Sequence, residues 1–130
     1  MIKQLLLCKR LMIEGASFAE RHDPVSTGLA ISLFQDSVEM FIWLLIKERG
    51  IKVKELSSFT VNIEELQKGG VQMAHTAKLF ELNKARVGFK HYGNLPAAGE
   101  ADVSSPVNCT LIHRDFGLLC LVPQAVFQRG

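Results

Sequence analysis

Gly28-Leu29-Ala30-Ile31-Ser32-Leu33-Phe34-Gln35-Asp36-Ser37-Val38-Glu39-Met40-Phe41-Ile42-Trp43-Leu44-Leu45-Ile46-Lys47-Glu48-Arg49 is the strongest helical signal in the chain. Leu29, Leu33, Phe34, Val38, Phe41, Ile42, Leu45 and Ile46 recur at helical steps and fill one broad apolar face. Lys47 and Arg49 stand in the last turn, and Gly50 is placed to cap it. A helix this apolar belongs at the centre of a core or in a partner interface. Asp36 and Glu39 are the acids most embedded in apolar sequence. Buried carboxylates need partners, and Arg86 is a candidate.

Upstream, residues 2–21 read as a first helix, because Leu5, Cys8, Met12 and Ala16 or Ala19 recur at three- to four-residue steps. His22-Asp23-Pro24 breaks it, and Ser26 or Thr27 is a plausible N-cap for the helix that follows. Downstream the signals weaken over residues 51–70, where Glu64, Glu65 and Leu66 suggest one short turn ended by Lys68-Gly69-Gly70. Residues 71–92 read as a third long helix, with Val71, His75, Leu79, Leu82 and Phe89 near one stripe, Gly93 as cap and Pro96 as stop. Residues 97–101 suit the start of a further helix. The apolar run at residues 118–122 is too short for periodicity to assign.

With 130 residues the chain is expected to form one domain, long enough to bury a core and too short to divide comfortably. An apolar fraction of 48% and a charged fraction of 22% argue against disorder. The formal net charge of +2 is too small for a domain-wide electrostatic footprint, so any basic site must be local. Cys8, Cys109 and Cys120 form no Cys-x-x-Cys pair, which argues against a disulfide framework or a zinc site and fits a reducing cytoplasm. No other metal-ligand spacing or cofactor motif is present. The apolar run at residues 5–8 is too short for a signal peptide, and that at residues 40–46 falls short of the roughly 20 residues that span a bilayer. The expectation is a cytoplasmic protein with no membrane segment.

The function is expected in residues 82–96, Leu82-Asn83-Lys84-Ala85-Arg86-Val87-Gly88-Phe89-Lys90-His91-Tyr92-Gly93-Asn94-Leu95-Pro96. Arg86 carries a planar donor fork that suits phosphate oxygens, and histidine exchanges protons readily near neutrality. Between residues 71 and 93, Lys78, Lys84, Arg86 and Lys90, with His75 and His91, face a single acid, Glu81. Such a segment attracts a polyanion, although a solvated helix face has the same composition. Lys90 suits phosphate, and Tyr92, the only tyrosine, suits either a base to stack on or a place in the core. On a straight helix Arg86 and His91 stand about 140° apart around the axis and about 7.5 Å along it. For both to meet one phosphate the helix must loosen, and Gly88 with Gly93-Asn94-Leu95-Pro96 offers a reason. The alternative is a surface Arg and a capping His.

A long apolar second helix, a loop, and a long helix closing with Arg, four residues and His resembles the arrangement of HEPN domains over roughly residues 1–101. The resemblance implies an all-α, up-and-down bundle of four or five helices, and a homodimer whose two Arg-His pairs line one cleft. It further implies metal-independent RNA cleavage in active members, toxin or antiviral roles for many, and an antitoxin or regulatory protein as a further partner. Carried over by position, Arg86 and His91 would be the catalytic pair. Lys84, Lys90, Tyr92 and Asn94 would then hold RNA or its phosphates, and Glu39 would orient Arg86. Two positions depart from the family pattern: Val87 stands where a polar residue often follows the Arg, and Gly93 where one subgroup has a tyrosine. The rival expectation is a helical module that binds RNA, a nucleotide or a protein partner and cleaves nothing. A third is that Arg86 and Glu39 lock two helices together. Residues 105–130 match no helix expected of the family, and His113-Arg114-Asp115-Phe116-Gly117, which fuses two tripeptides familiar from protein kinases, is taken as coincidence.

Overall fold

The computed structural model describes residues 1–73 and 76–96. Over these the chain is all-helical, with α1 (Ile2–Ala19), α2 (Pro24–Glu48), α3 (Phe59–Lys68) and α4 (Thr76–Tyr92). The expectations at His75, at residues 97–101 and along the tail 105–130 lie outside the described residues.

The second helix begins four residues before the sequence reading put it. Asp23, with extended backbone, is the N-cap, and its carboxylate accepts from the Ser26 N–H at 2.8 Å. Pro24 is therefore the first helical residue, where its missing N–H is no loss, and the break before α2 is its start signal. Ser26 and Thr27 lie inside the first turn, with the Thr27 hydroxyl donating to Asp23 O. The Ser26 hydrogen bonds hold the Asp23 carboxyl below its ordinary value. Gly50 closes α2 as expected. Its φ of 64° lets its own N–H reach Lys47 O and the Ile51 N–H reach Ile46 O. Gly70, at φ 89°, ends α3 in the same way, its N–H meeting Gln67 O and the Val71 N–H meeting Leu66 O.

A four-residue connection, 20–23, turns α1 back along α2, and the pairings run antiparallel. The Ser37 hydroxyl donates to Cys8 O at 2.8 Å, and Gly15 meets Phe34 so closely that a Cβ there would stand 2.6 Å from the ring. Cys8 and Met12 are buried, as their spacing predicts, with Leu5, Ala16 and Ala19 packed beside them. From α2 come Ala30, Ile31, Phe34, Val38, Phe41, Ile42 and Ile46, whereas Leu29 is left exposed. By length and composition α2 is apolar enough to cross a membrane, with a mean hydropathy of 1.6 over its best window, although no unbroken apolar block is that long. Half of that window is buried among the other helices.

The short turn expected around residues 64–66 is a full helix of 10 residues, α3, started by Ser58, whose hydroxyl accepts from the Val61 N–H. Phe59, Ile63 and Leu66 are its buried side, spaced four and three apart. Phe59 also meets Phe80 of α4 edge-on, at 6.4 Å between ring centroids. The fourth helix starts later than the expected Val71, at Thr76, and follows α2 in the opposite sense. Leu79 and Leu82 are buried, and the ring of Phe89 lies where a Cβ on Gly28 would be.

Candidate functional site

Along the contact between α2 and α4 the core turns polar. Gln35 sits four residues after Ile31 and three before Val38, which puts it on the buried stripe of α2, and it is fully buried. Its Nε2 donates to Asn83 Oδ1 at 3.0 Å and to Glu39 Oε1 at 3.2 Å, while its Oε1 is buried with no partner. One turn further along α4, Arg86 Nη2 donates to Asp36 Oδ1 at 2.8 Å. The Arg86 side chain is 16% exposed and that of Asp36 43%, so the pair sits at the edge of the interface with the cation inward. Arg86 Nε is buried without a partner.

Of the two acids singled out in α2, Asp36 is the one that meets Arg86, and the Glu39 carboxylate accepts from Gln35 instead. Three residues cover less than a full turn, so two acids at that spacing point somewhat apart and reach different partners. The tie between α2 and α4 foreseen for Arg86 is therefore present, through Asp36. Gln35 and Asn83 were not singled out in the sequence. The signal was there: a polar residue among Ile31, Phe34, Val38 and Ile42 must find a hydrogen bond.

Helix α4 runs unbroken through Gly88 to Tyr92, so the loosening comes only after His91. Gly93 has φ 65° and donates to Phe89 O at 3.2 Å, and the Asn94 N–H reaches back to Gly88 O at 3.1 Å. Arg86 and His91 thus stay about 140° apart around one axis. Arg86 faces α2, His91 is exposed at the end of α4, and the single chain does not bring them to a common point.

What the structure does bring together is another subset of the expected residues. Lys84, Tyr92 and Asn94 line one groove of about 570 Å³, with Glu81 and Gly88 of α4 and Ile31 of α2. Glu81, Ala85, Gly88 and Tyr92 succeed one another at four, three and four residues, so they form a single stripe. Asn94 folds back over that stripe: a Cβ on Gly88 would lie 3.6 Å from its Nδ2. Tyr92 is 75% exposed at one end, which excludes the core role open to it in the sequence. Lys90 is exposed but does not line the groove.

A second, wider depression of about 860 Å³ lies beside Asp36 and Glu39, with Leu11, Met40, Trp43 and Phe59 among its lining. Its carboxylates, Glu55 included, make it unsuited to a polyanion. Among the described residues no group of His, Cys, Asp and Glu is placed to hold a metal ion. Comparison with protein-family models, with curated proteins and with solved structures finds no match.

Proposed function

We propose that this chain is a helical module that binds single-stranded RNA along the C-terminal half of α4. The observation that carries the reading is that Lys84, Tyr92 and Asn94 line one groove. An ammonium takes a phosphate, an exposed phenol ring offers a stacking face, and a side-chain amide reads a base edge. A volume of about 570 Å³ falls in the range of nucleotide-sized sites. Stacking one base on an aromatic ring contributes about 1–3 kcal/mol, so removing the ring weakens binding by roughly 5- to 150-fold. The test is fluorescence anisotropy of a labelled mixed-sequence RNA with wild type, Tyr92→Ala and Lys84→Ala. Weakening in both variants supports the reading. Binding unchanged in both, or absent from the wild type, removes it.

The second reading, resting on the resemblance to HEPN domains, is a metal-independent endoribonuclease acting as a homodimer. What favours it is that Asp36 fixes the Arg86 guanidinium while His91 stays exposed at the helix end. Because the two are apart within one chain, the cleft would be completed by a second copy. One His would take the 2′-hydroxyl proton, another would protonate the leaving oxygen, and Arg86 would stabilise the charge on the phosphorane, giving a 2′,3′-cyclic phosphate and a free 5′ hydroxyl. Incubation of RNA with wild type, Arg86→Ala and His91→Ala in excess EDTA decides it. Cutting by the wild type alone, with cyclic phosphate ends, supports cleavage. An inert wild type, or equal cutting by all three, leaves only binding.

A further inference from the structure

Among the described residues Glu81 is the one acid lining the groove, and a carboxylate where a phosphate chain should pass needs a reason. It is exposed and makes no ion pair among the described residues, not even with Lys84 three residues on. We propose that Glu81 makes the groove selective for guanine, an inference that rests on the RNA-binding reading above and names the base it takes. From Glu81 to Gly88 the stripe runs seven residues, about 10.5 Å along the axis. Between them lies Ala85, with Lys84 at the flank of the stripe, so the floor beside Glu81 is low enough for a flat ring. At the far end, above Gly88, stands the Asn94 amide. Between Glu81 and that amide, over Ala85, a purine would take a hydrogen bond of about 2.9 Å at each edge.

The chemistry of the two ends selects among the bases. An ionised carboxylate only accepts, and its two oxygens suit two adjacent donors. Guanine alone offers such a pair on its Watson–Crick edge, N1–H beside the N2 amine. Adenine and cytosine place a ring acceptor next to their single amine, which would face the second carboxylate oxygen and repel it. Uracil sets its one N–H between two carbonyls. At the other edge guanine presents O6 and N7, both acceptors, to which the Asn94 amide donates. Lys84, beside the stripe, takes a flanking phosphate, and Tyr92, one turn beyond Gly88, stacks the neighbouring base.

The experiment is anisotropy with four labelled uridine hexamers that carry guanosine, inosine, adenosine or cytidine at one central position, against wild type, Glu81→Gln and Lys84→Ala. The guanosine hexamer is expected to bind at least tenfold tighter than the adenosine one, with inosine, which lacks the N2 amine, in between. Glu81→Gln is expected to erase that order. Should the wild type bind all four alike, or Glu81→Gln tighten all four equally without changing their order, Glu81 is merely a repulsive charge and the guanine inference falls while RNA binding stands. Should none of the four bind, or should Lys84→Ala leave all four affinities unchanged, the groove is no RNA site and both fall.

Discussion

Cys8 is 1% exposed, and burial pushes its thiol from its ordinary 9.0 up to about 11. Reaction requires the thiolate, so Cys8 is expected to resist iodoacetamide at pH 8 in the folded chain and to react in urea. Peptide mapping separates it from Cys109 and Cys120. The same shift has a sign in stability. The folded state holds the proton more tightly, so this contribution is complete below 9.0, where both states are protonated, and is lost as pH rises toward 11. Urea midpoints between pH 8 and pH 11 should fall, and Cys8→Ser should flatten that part of the decline. Arg86 is the other residue whose surroundings set its behaviour. Arg86→Ala strips the partner from Asp36, a carboxylate exposed enough for water to screen, so the expected loss is about 1–2 kcal/mol in chemical denaturation. A loss beyond about 4 kcal/mol would mark Arg86 as chiefly a structural lock. A protein that stays folded and loses only RNA affinity or cleavage would place it in the site.

Between elements, two glycines leave the space that an aromatic ring from a neighbouring helix fills. Gly15 receives the ring of Phe34, and Gly28 the ring of Phe89. Gly→Ala inside a helix ordinarily stabilises by about 1 kcal/mol. Here the added carbon meets a ring, and overpacking of this kind costs about 1–3 kcal/mol. Gly28→Ala is therefore expected to lower the melting midpoint, and Phe89→Leu alongside it to recover part of the loss. A midpoint raised by Gly28→Ala alone would show that Phe89 moves aside freely. Such contacts explain why the sequence was readable in part. The apolar period of α2 and the glycines after α2 and α4 were plain, because each is a local signal. Phe59, Ile63 and Leu66 also repeat at helical steps, but over so few residues, beside Val61 and Glu64, that α3 looked like a single turn. Nor did spacing reveal which of Asp36 and Glu39 meets Arg86, since that depends on how α4 is rotated against α2. The candidate site was legible by composition: a basic stretch with one tyrosine. Its geometry was not, and the structure puts Lys84, Tyr92 and Asn94 in a groove while leaving Arg86 and His91 on separate faces.

At the scale of the molecule, the apolar weight is unevenly spread. Among the described residues the hairpin of α1 and α2 holds most of the buried side chains, whereas α4 buries only Leu79 and Leu82, adds the partly buried Phe80, Ala85 and Phe89, and is tied to α2 through Gln35 and Asp36. Helices held by few apolar contacts open before the global transition. Amide exchange is thus expected to be faster along α4 than in the middle of α2, and equal protection would mean that the polar contacts bind α4 as firmly as the hairpin. The arrangement also fixes what an occupant of the groove experiences. Ile31 of α2 is fully buried beneath the groove that Glu81, Lys84 and Tyr92 of α4 line, so an occupant would rest on α4 and on the turn after it, and not on α2. An occupant that needs α4 folded would bind more weakly in proportion to the time α4 spends open, and would slow amide exchange along α4 in return.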